Sequence, residues 1–424
     1  MIKPLVLVSA PIDTISGYGA RSRDFVKALI RLKANEWDIK ILSQRWGSTP
    51  FGALDIDIPE EAEILDRILM GQLDRQPDVY ITISVSNEFQ RMGKYNIGVS
   101  ALVETTILPA EMLEGLNRMD LNLVSSEFSK KVAESTTFDK KDSRTGQTIG
   151  NTKLEKPVEV LFEGVDVSKY KKVSKSTFDL SNIKEDFCFL SVGHWLSGDM
   201  GEDRKQMTTL VKSFLTAFKN KNKRPALILK TGMAGFSIIE EEKMVDILND
   251  IRSTVSGDLP SIYLVFGELT DDEMNQLYNH DKVKAFALVG NEGFGRPYIE
   301  FSAASSKPII ASPFSGHVDF LHEEYNAFVG GKVDQVHPSA ANQFLLKEAS
   351  WFKADPKSVE DTLKAVYENY NKYVDGGKIQ GHISRTEFSF DKMVEKLGAI
   401  LDKNIPKISI PQPISLPKLK TIQP

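Results

Sequence analysis

Eleven consecutive residues carry the densest chemistry in the chain: Gly290, Asn291, Glu292, Gly293, Phe294, Gly295, Arg296, Pro297, Tyr298, Ile299 and Glu300. An apolar run ends at Val289, a glycine-rich turn follows, and Pro297 stands where a helix can begin, since its ring presets a helical φ and the missing N–H is not needed there. The amides of Gly293, Phe294 and Gly295 would then sit at a helix N-terminus, able to donate to hydroxyl groups while the helix end favours a phosphate. Glu292 falls in the loop and Glu300 on the first turns of the helix, with seven residues between them. Two carboxylates so placed can hold a neutral polyol by accepting from paired hydroxyls, one at a hexose and one at a ribose. A helix-stabilising acid and an ordinary surface glutamate form the plainer alternative. The glycines between them favour a ligand.

Two other clusters could meet an anion. Arg204 and Lys205 open a helix after a strand at residues 187–192, where positive charge opposes the helix dipole and invites a negative partner; Glu202 and Asp203 could instead neutralise them locally. Ser16, Gly17, Tyr18 and Gly19 follow the first strand and precede a helix, a place where glycine lets the backbone approach a diphosphate closely. Arg21 or Arg23 would add charge. The spacing does not match a dinucleotide fingerprint, so a ligand-free glycine turn is the alternative. Asp55 and Asp57 have the spacing of a metal clamp but lie in a polar segment far from the other motifs. The lone Cys188, inside an apolar run, cannot form an internal disulfide and is expected to be a buried small hydrophobe.

Strands are expected at residues 5–9, 37–43, 79–84, 96–100, 121–125 and 158–161, then at 187–192, 226–230, 262–266, 284–289, 308–311 and 327–329. Helical patterns intervene at 20–32, 207–218 and 271–278. This alternation predicts an α/β protein with two doubly wound, Rossmann-like domains, whose ligand cleft lies at the carboxyl ends of the strands. The first domain is placed at residues 1–175 and the second at 176–380. Residues 140–156 read as a polar surface excursion. Residues 381–402 are expected to form a helix packed back on the body, marked by Phe390, Met393, Val394, Leu397 and Leu401 at helical spacing. Residues 403–424 form a proline-rich tail, extended or disordered.

The 424 residues exceed what one core usually organises, and 41% apolar with 26% charged residues is the balance of a soluble globular protein. A net charge of −5, from 53 basic and 58 acidic residues, lacks the basic excess of a protein built chiefly to grip nucleic acid. No run approaches the length of a membrane span and the N-terminus lacks a signal-peptide pattern, so a cytoplasmic location without stable membrane insertion is expected. The sequence leaves the oligomeric state open.

From Glu292 to Glu300 the chain resembles the retaining glycosyltransferases of the GT-B fold, specifically the GT4-like group, with its acid, seven residues, acid motif. The Lys307–Pro308–Ile309–Ile310–Ala311 strand and the Gly316 loop fit the same pattern. The resemblance implies two Rossmann-like domains facing across a cleft, and a nucleoside diphosphate sugar donor, UDP-glucose or another UDP- or GDP-hexose. It implies that Glu292 contacts the transferred sugar, that the amides of Gly293, Phe294 and Gly295 hold its hydroxyls, and that Glu300 binds the ribose. Lys205 would bind the diphosphate and stabilise the leaving group, and Gly17, Tyr18 and Gly19 would close over the same phosphates. Phe162 to Asp166 resembles the family's segment before the interdomain linker, which gives Asp166 a structural role. No obligatory metal is implied.

The chain departs from the family twice. The usual arginine after the glycine that ends the first strand of the second domain is here His194, leaving Arg204 as one source of the missing charge and a His194 hydrogen bond as another. Where many members carry an acceptor-side histidine, this chain offers Glu104. The acceptor stays open between a saccharide, a lipid-linked sugar and a hydroxymethylated DNA base, with Trp46, Phe51, Tyr95, Met112 and Met119 among the first-domain residues available to it. The residues around Glu104 are similar to glycosyltransferases encoded by tailed bacteriophages, some of which decorate DNA. A nucleotide-sugar epimerase or hydrolase, or a non-catalytic sugar-nucleotide-binding protein on the same fold, are the rival functions.

Overall fold

The computed structural model describes residues 3–142, 144–196, 198–199, 201–233 and 236–408. In the first half β1 (Leu5–Ala10) leads to α1 (Gly17–Lys33), β2 (Asp38–Ser43), α2 (Pro59–Leu65), β3 (Val79–Ile83), β4 (Tyr95–Ser100), α3 (Ala110–Arg118), β5 (Leu121–Val124) and α4 (Glu127–Ser135). A hairpin of β6 (Thr137–Lys141) and β7 (Thr148–Lys153) precedes β8 (Val158–Val160). One sheet results, in the order β2-β1-β3-β4-β5-β8, with every neighbouring pair parallel. Its central strands are apolar on both faces because helices cover both: every residue of β1, β3 and β5 is buried.

The second half repeats the plan. β9 (Cys188–Val192), α5 (Met207–Phe218), β10 (Ala226–Lys230), α6 (Ile238–Ser253), β11 (Ile262–Val265), α7 (Asp271–Asn279), β12 (Val283–Ala287), α8 (Arg296–Ser305), β13 (Ile309–Ala311) and β14 (Ala327–Phe328) follow in turn. They form a second parallel sheet in the order β11-β10-β9-β12-β13-β14, whose direction of growth reverses between β9 and β12. That reversal is where a crevice opens above the strand ends. An antiparallel pair, β15 (Gly331–Gln335) and β16 (Ser350–Ala354), lies outside the sheet. The expectation of two Rossmann-like domains is met.

Three helices close the described residues: α9 (Pro356–Glu368), α10 (Tyr370–Thr386) and α11 (Phe390–Asn404). Residue 381 falls inside α10, so the helix that packs back is α11, separated from it by a break at 387–389. Its buried Met393, Val394, Leu397, Ile400 and Leu401 form the stripe expected from their spacing. This stripe meets α1 of the first domain, and the rim is pinned by Arg31 to Asp391 at 2.6 Å and Lys33 to Asp402 at 3.0 Å. Gly398 fits here because a Cβ would stand 3.2 Å from Leu32. The tail expected at 403–424 lies, beyond residue 408, outside the described residues.

The excursion expected at 140–156 is more ordered than its polarity implied. Asp142 accepts from the amides of Arg144 at 3.0 Å and Thr145 at 2.7 Å, and this local turn lets β6 and β7 pair although most of their side chains are exposed. Cys188 is buried in β9 as expected, and burial pushes its thiol up to about 12. No helix among the described residues is long and apolar enough to cross a membrane.

Candidate active site

The carboxyl ends of both sheets face one cavity of about 410 Å³. From the first domain it is lined by Gly17, Tyr18, Trp46 and Glu104, and from the second by His194, Arg204, Lys205, Lys230, Glu292 to Pro297 and Glu300. Clusters separated by nearly three hundred residues of sequence therefore share a wall.

Three loops are locked together behind Lys205. Gln206, in the left-handed region at φ 50°, donates from its side chain to the Phe352 carbonyl at 2.6 Å and accepts from the Ala354 amide at 2.8 Å. Buried Asn291 donates from its amide to the Arg204 carbonyl at 3.0 Å, and its side chain donates to the Phe352 carbonyl at 3.0 Å and accepts from the Phe352 amide at 3.2 Å. Gly290 has to be glycine, since a Cβ there would run into the backbone of Lys205. Lys205 and Glu292 consequently face one another and form a buried ion pair. Burial raises the Glu292 carboxyl, but Lys205 and Arg204 together outweigh it and hold the group below its ordinary value. Burial, helped by Arg204, lowers the Lys205 ammonium against the pull of Glu292.

The glycine-rich turn is braced from the other side. The Glu292 amide donates to Ser315 Oγ at 2.9 Å, and the Gly316 amide donates to the Glu292 carbonyl at 2.8 Å. Gly316 lies so close to the Gly293 carbonyl that no side chain fits. Gly295 adopts φ 95° and caps α8. Buried His317 donates from Nε2 to the Ser312 carbonyl at 2.7 Å; burial drives it down to about 4, so it is a neutral support. The amides of Gly293, Phe294 and Gly295 donate to no protein acceptor among the described residues, which leaves three donors for a ligand at the cavity wall.

Glu104 and Arg204, from different domains, form an ion pair across the cleft, and Arg204 also donates to the Asn291 carbonyl at 2.9 Å. Ser125 of the first domain donates to the Gly293 carbonyl at 3.3 Å. Arg296, at the first position of α8, reaches Asp24 of α1 at 2.6 Å, Glu300 at 2.8 Å and Glu163 at 3.7 Å. A cation is disfavoured at a helix N-terminus, and three carboxylates reverse that cost. Glu300 also accepts from the Tyr278 hydroxyl at 3.4 Å, and burial lifts its carboxyl to about 7 against the pull of Arg296.

Around the first glycine turn the expected residues divide. Gly17 borders open space, as does Gly193 opposite. The Tyr18 hydroxyl bonds Ser100 Oγ and accepts from the Ala101 amide, both at 3.1 Å, and its ring stacks on Trp46 at 4.1 Å. Gly19 does not offer its amide to a ligand: that amide caps α1 by donating to Ser16 Oγ at 2.9 Å, and the glycine is required because a Cβ would overlap Thr14. Arg21 is buried on the carbonyls of Leu161 and Phe162, and Arg23 donates to those of Ile12 and Thr14 at 3.0 Å, so both brace the backbone. His194 borders the cavity with Nδ1 3.2 Å from the Met233 carbonyl. Burial first, then Lys205 and Lys230, lower its value, so it is neutral near pH 7 and brings no charge to the place of the absent arginine.

Arg296 and Lys230 were not singled out from sequence. The i, i+4 spacing of Arg296 and Glu300 was a signal for the first, and a lysine closing the apolar strand 226–229 for the second. Among the described residues no group of three histidine, cysteine or acidic side chains is placed to hold a metal ion.

No family model and no curated protein sequence matches the chain. Solved structures do. Sucrose-phosphate synthase from Thermosynechococcus elongatus superposes with a TM-score of 0.61 at 12% identity, over 95% of this chain and 99% of that one. HepE of Anabaena in complex with UDP-glucose gives 0.57 at 11% identity, over 94% and 99%. A glycosyltransferase from Rickettsia africae gives 0.57 at 13%, over 96% and 100%. The chain shares the GT-B fold of these glycosyltransferases along almost its whole length.

Proposed function

We propose that the chain is a retaining, GT4-like glycosyltransferase that moves a hexose from a nucleoside diphosphate sugar to a hydroxyl acceptor. The observation that carries this is the convergence of Lys205, Glu292 and three unpaired amides on one cleft between two doubly wound domains. HepE, which has the same fold, was crystallised with UDP-glucose, and this supports a UDP-hexose donor, with GDP-hexose as the alternative.

In this reading residues 1–175 form the acceptor domain and 176–380 the donor domain, with the α11 helix tying the second back to the first. Glu300 takes the ribose, Glu292 and the amides of Gly293 to Gly295 take the hexose, and Gly17 with Tyr18 faces the phosphates. The transition state is oxocarbenium-like, so the chief requirement is to stabilise charge growing on the departing diphosphate. Fixed cations and dipoles do this without reorganising. The loop that presents Lys205 is packed against Gly290 and tied to Phe352 through Gln206, and its ammonium is paired with Glu292. Arg204 contributes from the same loop. The leaving phosphate takes the acceptor's proton as the new glycosidic bond forms, and no obligatory metal is needed. Glu104 and Trp46 border the cavity on the acceptor side, where a saccharide, a lipid-linked sugar or a hydroxymethylated DNA base is received.

Incubation with UDP- and GDP-hexoses and a panel of these acceptors, with the anomeric configuration of the product read by NMR, tests the proposal. Retention is expected, and Lys205→Ala should lower turnover by roughly a hundredfold or more. Inversion, or near wild-type turnover in that variant, would remove the mechanism. Product formed without any acceptor would point to an epimerase or hydrolase.

A further inference from the structure

Lys230 ends β10 beside the loop that opens at Gly193. Its Cα stands opposite Val192 of β9, and its carbonyl accepts from the Gly193 amide at 3.1 Å. Both lysines of the cavity wall are fixed, but by different means. Lys205 is paired with Glu292. Lys230 donates to the Gly267 carbonyl at 2.7 Å and lies 5.4 Å from the centre of the Phe236 ring, and among the described residues it forms no ion pair. The ammonium group has three N–H donors, and one such bond leaves donors unspent.

The next residue adds an independent sign of a missing partner. Thr231 is 2% exposed, lines the same cavity, and its hydroxyl has no hydrogen-bond partner. Buried hydroxyls are nearly always satisfied, because leaving one unpaired forfeits its hydration for nothing. Gly193, which follows β9 beside the end of β10, borders open space. Burial first, and then Lys205 and Lys230, depress the protonation of His194 beside it. Lys230 from the end of β10 and Lys205 from the loop between β9 and α5 thus both line this part of the cavity.

We propose that Lys230 and Thr231 form a second phosphate contact of the cleft, donating to a phosphoryl oxygen of a nucleoside diphosphate beside Gly193. Lys230 thereby supplies the cation that His194 does not. The inference rests on the proposed transferase function and deepens its donor site.

Calorimetric titration with UDP, with GDP in parallel, and with uridine tests it on the wild type, Lys230→Met, Lys230→Arg, Thr231→Val and Lys205→Ala. Lys230→Met should weaken UDP at least about tenfold, the loss of one charge-assisted bond, while leaving uridine unchanged. Thr231→Val should weaken UDP several-fold, roughly the effect of one neutral bond. Lys230→Arg should regain most of the affinity, and an unchanged melting temperature of ligand-free Lys230→Met excludes misfolding. A UDP affinity in Lys230→Met close to wild type overturns the contact, and so does a parallel loss for uridine, which would assign Lys230 to the nucleoside. If Lys205→Ala alone loses UDP, the transferase reading stands without this contact. If the wild type binds neither UDP nor GDP, both fall together.

Discussion

Glu300 combines two demands that pull in opposite directions. Burial lifts it from an ordinary 4.5 to about 7, with Arg296 opposing the rise. A carboxyl whose folded value lies above its unfolded one favours the fold at low pH, and this contribution is lost as pH rises from about 4.5 through about 7. Glu300→Gln cannot ionise, so ligand-free protein should be more stable than wild type near pH 8, by on the order of 2 kcal/mol, with the gap closing near pH 4. Thermal melts at the two pH values check this. The same variant should bind UDP more weakly, since an amide oxygen accepts less strongly than a carboxylate. An unaltered pH dependence of stability would show that Glu300 does not titrate as its burial requires. At this scale the sequence marked Glu292, Glu300 and Lys205, which the fold brings to one cavity, because an acid pair around glycines and a cation near a helix start are unusual locally. It offered only weak signals for Arg296 and Lys230, whose partners Asp24, Glu163 and Gly267 are distant in sequence.

The elements that present these residues are loops at strand ends, and their precision comes from close backbone approach. Gly290 is one such point, where the strand-end loop after β12 touches the loop carrying Lys205. Gly290→Ala should displace Lys205 from Glu292 and lower kcat by tenfold or more, as misplacement of a transition-state charge does, and should also lower the melting temperature, because backbone has to move to admit the Cβ. Steady-state kinetics beside a melting curve separate the two effects, and full activity would mean that Lys205 does not depend on this packing. Strand and helix positions were legible because buried parallel strands are continuous apolar runs and α11 keeps a helical stripe. The hairpin of β6 and β7 was not, since it buries little and is held by the turn at Asp142. Gly19 misled for a related reason: a glycine required by Thr14 looks, in sequence, like one required by a ligand.

On the scale of the whole molecule, two sheets share one cleft, and cation–carboxylate pairs span it between the domains, Arg204 to Glu104 and Arg296 to Asp24. Two of the cleft's own ligand candidates, Arg204 and Glu104, satisfy each other, so a bound diphosphate would compete with Glu104 for Arg204. The fold was visible as an alternation of strand and helix patterns, and the acceptor was not, because first-domain loops carry no pattern that names their guest. The donor is therefore where the account is most exposed to test. A ligand that binds only the folded state stabilises it by roughly 2.7 kcal/mol at a hundredfold excess over its Kd. In a thermal-shift screen of UDP- and GDP-hexoses, at least one donor should raise the melting temperature by a few degrees in the wild type and far less in Glu300→Ala and Lys205→Ala. No shift with any nucleoside diphosphate sugar, or an equal shift in all three proteins, would contradict the assignment of this cleft to a sugar-nucleotide donor.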